Sequence, residues 1–345
     1  MAWSEGMPIH VAILGAGGLG RAACRIIGMK RELRLVGICD STGVVLSSEG
    51  LSCERLAAGS GDVVASYQES ADSGERVATQ TVVAHHCQDP LGELFACAPD
   101  LDACLVTLPN MPNEFIPSVI AKGVGHHPGL VFADVLKRTT AVAQMFELSA
   151  SVQAAGSVVL TGCGATPGLL SAAAVLAAQS FIEIERVDIW WGVGIANWDA
   201  YKATIREDIA HIPGYSVARA KAMSDEEIEA FLAKTNGLME LHHMEHADDI
   251  LLQRTGVVQS PEQVEVGGVM DTRHPKKPVS TMMTLTGVTF EGKRSSHRFV
   301  LGDETSMAAN VIGPALGYLK RGMWLKQRGI FGVFGCTEFL PMVVR

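Results

Sequence analysis

The chain has 345 residues, 48% of them hydrophobic and 19% charged, and carries a formal net charge of −9. That length exceeds what one hydrophobic core usually serves, so two domains are expected, and the apolar content excludes a disordered chain. The acidic balance, with no cluster of Lys and Arg, excludes a nucleic-acid partner, and no apolar run approaches the ~18 residues of a membrane span. Eight cysteines without a Cys-x-x-Cys pair read as reduced thiols, which points to a cytoplasmic protein, and no leader segment is read.

A short apolar strand is predicted over 10–14, followed by Gly15-Ala16-Gly17-Gly18-Leu19-Gly20 and a helix over 21–29. A second buried strand over 33–39 ends in Asp40, so a βαβ unit opens the chain. Residues 41–75, rich in Ser and Gly, read as a surface connection with one short helix over 51–57, and 82–86 reads as a third strand. A helix over 90–96 leads to an apolar strand over 103–108, which the prolines of Pro109-Asn110-Met111-Pro112 end. Helix 114–122, strand 129–133, helix 139–154 and strand 157–161 then alternate. Such alternation implies an α/β fold with a Rossmann-type, doubly wound parallel sheet.

The pattern changes after Gly164-Ala165-Thr166-Pro167-Gly168. A helix over 169–179 precedes longer strands over 187–193, 280–290 and 296–301, the last two joined at Glu291-Gly292 as a hairpin. This is read as a second, α+β domain for substrate binding or oligomerisation. The expected boundaries are 1–165 for the dinucleotide-binding domain and 166–304 for the second, with 305–345 as a closing segment that could pack back on the first.

Three glycines have separate tasks in a dinucleotide fingerprint: Gly15 makes the tight turn, Gly17 lets the backbone approach the pyrophosphate, and Gly20 allows helix and strand to pack closely. The helix N-terminus favours the phosphate charge. Asp40, twenty residues past Gly20, stands where a carboxylate accepts from ribose hydroxyls, with Ser41 beside it. A 2′-phosphate there would meet repulsion, so NAD is expected ahead of NADP.

Ligands of open parallel sheets bind beyond the carboxyl ends of the strands. That rule nominates Leu108, Pro109 and Asn110, then Asp134 to Arg138, then Gly164 and Thr166. Asn110, Gly164 and Thr166 are candidates for cofactor contact, along with Ala16, Gly18 and Leu19. Asp134 and Lys137, titratable and next to a strand end, are the candidates for proton transfer. Trp198 and Lys202 are candidates for the substrate, as aromatic and cationic groups suited to a small anionic or amino-acid ligand. His242 and His246 are one helical turn apart in number, but a third ligand would have to be chosen among Glu245, Asp248 and Asp249, and no metal is expected. Arg294 and Arg298 share a strand face and read as edge charges.

The chain resembles the saccharopine dehydrogenase-like oxidoreductases in Gly15 to Gly20, in Leu108-Pro109-Asn110, in Gly164 to Gly168, and in Gly302-Asp303-Glu304-Thr305-Ser306-Met307-Ala308. The segments Cys39-Asp40-Ser41 and Asp134 to Lys137 are also similar to those of homoserine dehydrogenases and glucose-fructose oxidoreductase-type enzymes, and that likeness implies a catalytic role for Lys137. The resemblance implies an NAD(P)-dependent oxidoreductase moving a hydride to or from the carbon of a C–N bond in an amino-acid derivative. The alternatives are a homoserine dehydrogenase-like enzyme acting on a C–O bond and a non-catalytic NAD(H)-binding regulatory protein. A small-molecule substrate and a homo-oligomer are expected.

Overall fold

β1 (Ile9–Leu14) is apolar at all but one position, as a strand covered on both faces must be, and it takes an inner place in a parallel sheet. The computed structural model describes residues 6–72, 82–98, 100–110, 112–195, 202–303 and 305–345. After β1 come α1 (Gly18–Ile27), β2 (Leu33–Cys39), β3 (Gly43–Leu46), α2 (Cys53–Ala58), α3 (Val63–Asp72), β4 (Val83–His86), α4 (Pro90–Cys97) and β5 (Ala103–Val106). α5 (Phe115–His126), β6 (Val131–Asp134), α6 (Thr139–Glu147), α7 (Ser149–Ala154) and β7 (Val158–Thr161) follow. A second series runs through α8 (Leu169–Ala178), β8 (Phe181–Gly194), α9 (Lys202–Ile209), α10 (Val217–Ala222), α11 (Asp225–Ala233), β9 (Leu238–Leu241) and α12 (Asp248–Arg254). It ends in β10 (Val264–Asp271), β11 (Met282–Thr289) and β12 (Arg294–Val300), and α13 (Met307–Gln327) and β13 (Gly332–Gly335) close the chain.

Two units result: Met1–Leu136, Thr140–Gly164 and Val311–Arg345 form one, and Lys137–Thr139 with Ala165–Asn310 form the other. The first holds an eight-stranded sheet in the order β13-β7-β6-β5-β1-β2-β3-β4. Pairing is parallel from β13 to β2 and antiparallel where β3 joins β2 and β4. The sheet is therefore mostly parallel, as the alternation of strands and helices implied. β3 lies inside the stretch expected to be a surface connection, and α3 follows it. Its four residues are all buried, too short a run to carry a readable period. Leu148 divides the expected long helix into α6 and α7. At the carboxyl end of the chain, Lys320 on α13 binds the Glu32 carboxylate at 2.7 Å, and Tyr318 donates to the Cys336 carbonyl at 2.8 Å.

The second unit carries a five-stranded sheet in the order β12-β11-β8-β10-β9. One face packs on a core in which Leu170 and Ala174 of α8 meet Val187, Ile189 and Trp191 of β8 and Leu285 of β11. Strand alternation turns Trp190 the other way, where its ring covers Gly267 and lies 5.1 Å from the His242 ring. The two tryptophans, adjacent in sequence, therefore do not form one cluster. α11 begins where a capping box dictates: Ser224 accepts from the Glu227 amide, and the Glu227 carboxylate accepts from the Ser224 amide.

Gly20 is where β1 and α1 are pressed together. A Cβ built there would lie 1.8 Å from the Gly15 carbonyl oxygen, backbone that cannot rotate aside. Gly20→Ala is expected to lower the unfolding free energy by about 3 kcal/mol, the upper range for overpacking, despite alanine's better helix propensity. Urea unfolding of the purified variant checks it, and an unchanged midpoint contradicts the packing argument.

Candidate functional site

The glycine turn follows β1 at the point where the sheet order reverses, with β5 on one side and β2 on the other. Gly15 adopts φ +106°, and its hypothetical Cβ would lie 2.9 Å from the Thr107 carbonyl oxygen. Thr107 in turn donates its hydroxyl to the Gly15 carbonyl at 2.8 Å, locking the loop after β5 against the turn. Gly17 is different: it is exposed, and a Cβ there would meet nothing within 4 Å. Crowding at Gly15 and Gly20 together with open space at Gly17 is what a backbone cradle for a diphosphate requires. α1 starts there with no side-chain cap, so its first amides have no side-chain acceptor at the N-cap.

Asp40 is already engaged. Its Oδ1 accepts from the amides of Thr42 (2.8 Å) and Gly43 (3.1 Å) and from the Thr42 hydroxyl, while Oδ2 accepts from the Val63 amide at 2.7 Å. A carboxylate offers about four acceptor positions, so the position open to a ribose hydroxyl is on Oδ2. Ser41 is exposed beside it. Arg21, in the first turns of α1, binds the carbonyls of Ala16, Leu56 and Gly61 and the Ser66 hydroxyl, at 2.8–3.1 Å. Its guanidinium thus ties the glycine turn to the segment around α2 and α3.

Leu108, Pro109 and Asn110 continue directly from β5, and Gly164, buried, ends the loop after β7. Asp134 is wholly buried at the end of β6 instead of solvated. Its Oδ1 accepts from the Leu136 amide (3.0 Å), the Thr161 hydroxyl (3.0 Å) and the Gly162 amide (2.9 Å), and Oδ2 has no hydrogen-bond partner among the described residues. Burial pushes its pKa up to about 6, against three hydrogen bonds that pull it down.

Lys137, three residues on, belongs to the second unit. Its Nζ lies 2.7 Å from Asp208 Oδ1 and 3.5 Å from Glu207 Oε2. Burial opposes the charge of this ammonium, yet the two carboxylates outweigh burial and raise its pKa above the ordinary value. In this arrangement Lys137 is a fixed cation and not a proton acceptor. Arg138 pairs with Glu245, and Thr139 donates to Asp249. Thr166, expected to contact a cofactor, gives its hydroxyl to Asp248 Oδ2 at 2.7 Å; Ser171 donates to Oδ1 of the same carboxylate. The loop after β6, the start of α8, α9 and the start of α12 thus bring one buried polar network together. Glu207 and Asp208 were absent from the sequence reading, and Asp248 entered it only as a possible third ligand beside His242 and His246. Carboxylates inside an ordinary helical stretch carry no local mark of burial, and only their partners reveal them.

Lys202 pairs with Asp225 at 2.6 Å, and Trp198 lies outside the described residues. His242 and His246 do not share a helix: they flank a loop between β9 and α12, with exposed His242 against Glu240 and buried His246 against Asp248. Among the described residues no three His, Cys, Asp or Glu side chains converge as a metal site, and no helix is long and apolar enough to cross a membrane.

Comparison with known proteins decides the family. Over 96% of this chain and 99% of the relative, the sequence is 39% identical to (S)-8-amino-7-oxononanoate synthase BioU of Haloferax mediterranei. This chain belongs to that synthase's family. No protein-family model matches it. Among solved structures, the fold is similar to a C. glutamicum DAP dehydrogenase in complex with DAP (TM-score 0.56, 19% identity, 96% of this chain and 94% of that one). It is also similar to an engineered D-amino acid dehydrogenase bound to NADP+ (0.53, 17%, 96% and 94%) and to saccharopine dehydrogenase from Saccharomyces cerevisiae (0.52, 11%, 95% and 94%). At these identities the likeness is one of fold.

The family corrects the functional expectation. A saccharopine-type enzyme moving hydride at a C–N bond, its C–O counterpart and a non-catalytic regulator all give way, because the full-length relative is an enzyme named for synthesis of an amino-oxo acid and not for dehydrogenation. The resemblance to saccharopine dehydrogenases was a resemblance of the dinucleotide fold, which many chemistries share.

The raised pKa of Asp134 sets a pH dependence. Below the ordinary value of 3.8 the carboxyl is protonated both folded and unfolded and costs nothing. Between about 4 and 6 the unfolded chain ionises while the native one resists, so stability falls, by about 3 kcal/mol once pH exceeds 6. Chemical denaturation across this range is expected to show the fall in the wild type and its loss in Asp134→Asn; parallel curves contradict it.

Proposed function

We propose that this chain makes (S)-8-amino-7-oxononanoate, the compound for which its relative is named, and that a nicotinamide dinucleotide sits on the Gly15 to Gly20 turn. Full-length identity of 39% to that synthase is the observation that carries the reading. The crowded Gly15 and Gly20 and the open Gly17 support the dinucleotide. Asp40 Oδ2 would take a ribose hydroxyl, with Ser41, Leu108, Pro109, Asn110 and Gly164 as further contacts, and the carboxylate favours NAD over NADP. When bound, the dinucleotide would supply redox capacity at its nicotinamide. Eight free thiols fit a reducing compartment, the cytoplasm.

A bacterial strain that requires 8-amino-7-oxononanoate is expected to grow without it when it carries this chain's gene. Continued dependence overturns the proposal. For the dinucleotide, Gly17→Val is expected to fold like the wild type, since its side chain enters open space, and to lose NADH affinity at least tenfold, ~1.4 kcal/mol or more. Fluorescence titration reads the difference, and equal affinities remove the glycine turn from the site.

We further propose a second copy of the chain as partner, seated on the face of the five-stranded sheet that bears Trp190. Along β12 that face carries Arg294 and Arg298; along β10 and β9 it carries Glu265 and Glu240. A two-fold axis parallel to the strands, between β8 and β11, lays Arg298 of one copy over Glu265 of the other and Trp190 over Met282. Light scattering is expected to give twice the 36.7 kDa chain mass for the wild type. The double variant Arg294→Glu with Arg298→Glu is expected to give the single mass. A monomeric wild type overturns this assembly.

A further inference from the structure

His246 is the least explained polar group of the second unit. Its side chain is 3% exposed and its Nδ1 lies 2.7 Å from Asp248 Oδ2. Asp248, fully buried, also accepts from the hydroxyls of Thr166 and Ser171, and Ser171 is itself held by the Gly168 amide at 3.0 Å. A carboxylate can only accept, so the imidazole carries a proton on Nδ1, and its Nε2 is turned away from Asp248. Among the described residues that Nε2 has no hydrogen-bond partner. Three side chains and a helix start thus aim one ring nitrogen that bonds to no described residue.

The charged and titratable groups around it leave few ways to fill that position. Asp248 and Asp249 of α12 stand on one side, and His211, just beyond α9, on another, next to Lys137, Arg138 and Asp208. Burial, reinforced by the Lys137 charge, depresses His211 to about 4, so it stays neutral across the physiological range and does not compete with His246 for a proton. A ring nitrogen bordered by carboxylates suits an N–H donor of positive charge, and opposes a carboxylate.

We infer that His246 Nε2 receives the primary amine of the amino ketone named above, with Asp248, Thr166 and Ser171 as positioning residues; the inference rests on that proposed product. The amine arrives as an ammonium, one of its protons passes to Nε2, and the products of this step are a free amine and an imidazolium whose Nδ1–H remains on the Asp248 carboxylate. No other reactant is needed. The Gly164 to Gly168 loop acquires a specific purpose in this scheme: Thr166 orients the acid that orients the base.

Histidine imidazole 15N NMR of the wild-type protein, titrated with (S)-8-amino-7-oxononanoate in the presence of NAD+, tests the inference. One imidazole is expected to pass from the neutral to the imidazolium pattern on binding. His246→Gln should lack that resonance and bind the compound at least tenfold more weakly. Thr166→Val is expected to weaken the response and Thr166→Ser to restore it, which a merely space-filling role would not produce. If the compound binds the wild type and no imidazole responds, or if the responding imidazole survives in His246→Gln, the inference is overturned while the proposed product stands. If calorimetry finds no binding to the wild type at all, the proposed product fails and takes the inference with it.

Discussion

No side chain can stand on the Cα of Gly20. Because the Gly15 carbonyl occupies that space, α1 leaves β1 at a distance only two glycines permit, and everything at the carboxyl edge of the sheet is placed by that departure. Thr107 closes the same joint from β5, donating to the carbonyls of Leu14 and Gly15, so two neighbouring strands share one rigid corner. Arg21 extends it. A guanidinium buried in α1 would be costly alone, but three backbone carbonyls and a serine hydroxyl satisfy it, and the segment around α2 and α3 is thereby attached to the turn.

Asp40 illustrates how a fingerprint residue can be structural first. Its carboxylate holds the amides that open β3 and α3, so the antiparallel extension of the sheet and the candidate ribose position depend on one side chain. Removal would leave those amides without their acceptor as well as altering the cofactor contact, and the two consequences would arrive together.

The parallel part of the sheet was legible because its strands are continuous apolar runs set between helical stretches, and that pattern has no other stable reading. β3, β9 and β13 were not: β3 lies in a stretch rich in Ser and Gly, and β9 and β13 lie outside the run of alternating strands and helices that marks the equally short β5, β6 and β7. The cofactor turn could be read because its glycines answer local steric demands. Glu207, Asp208 and Asp248 could not, because each is engaged by a partner far away in the chain, Lys137 for Glu207 and Asp208, the latter at a separation of 71, and Ser171 for Asp248 at a separation of 77. Reaction type was misread for a related reason: a motif that marks a fold leaves the chemistry carried on it open.

The polar network of the second unit also has an internal logic of charge. Lys137 lies between Glu207 and Asp208, and Arg138 meets Glu245, so each cation has a carboxylate partner of its own. Asp248 has no cation of its own. It is held by two hydroxyls and an imidazole N–H, hydrogen bonds that satisfy the carboxylate without cancelling its charge. The negative charge is consequently available to whatever the imidazole binds, and a cationic group beside His246 would sit in the field of a carboxylate that no Lys or Arg among the described residues pairs with.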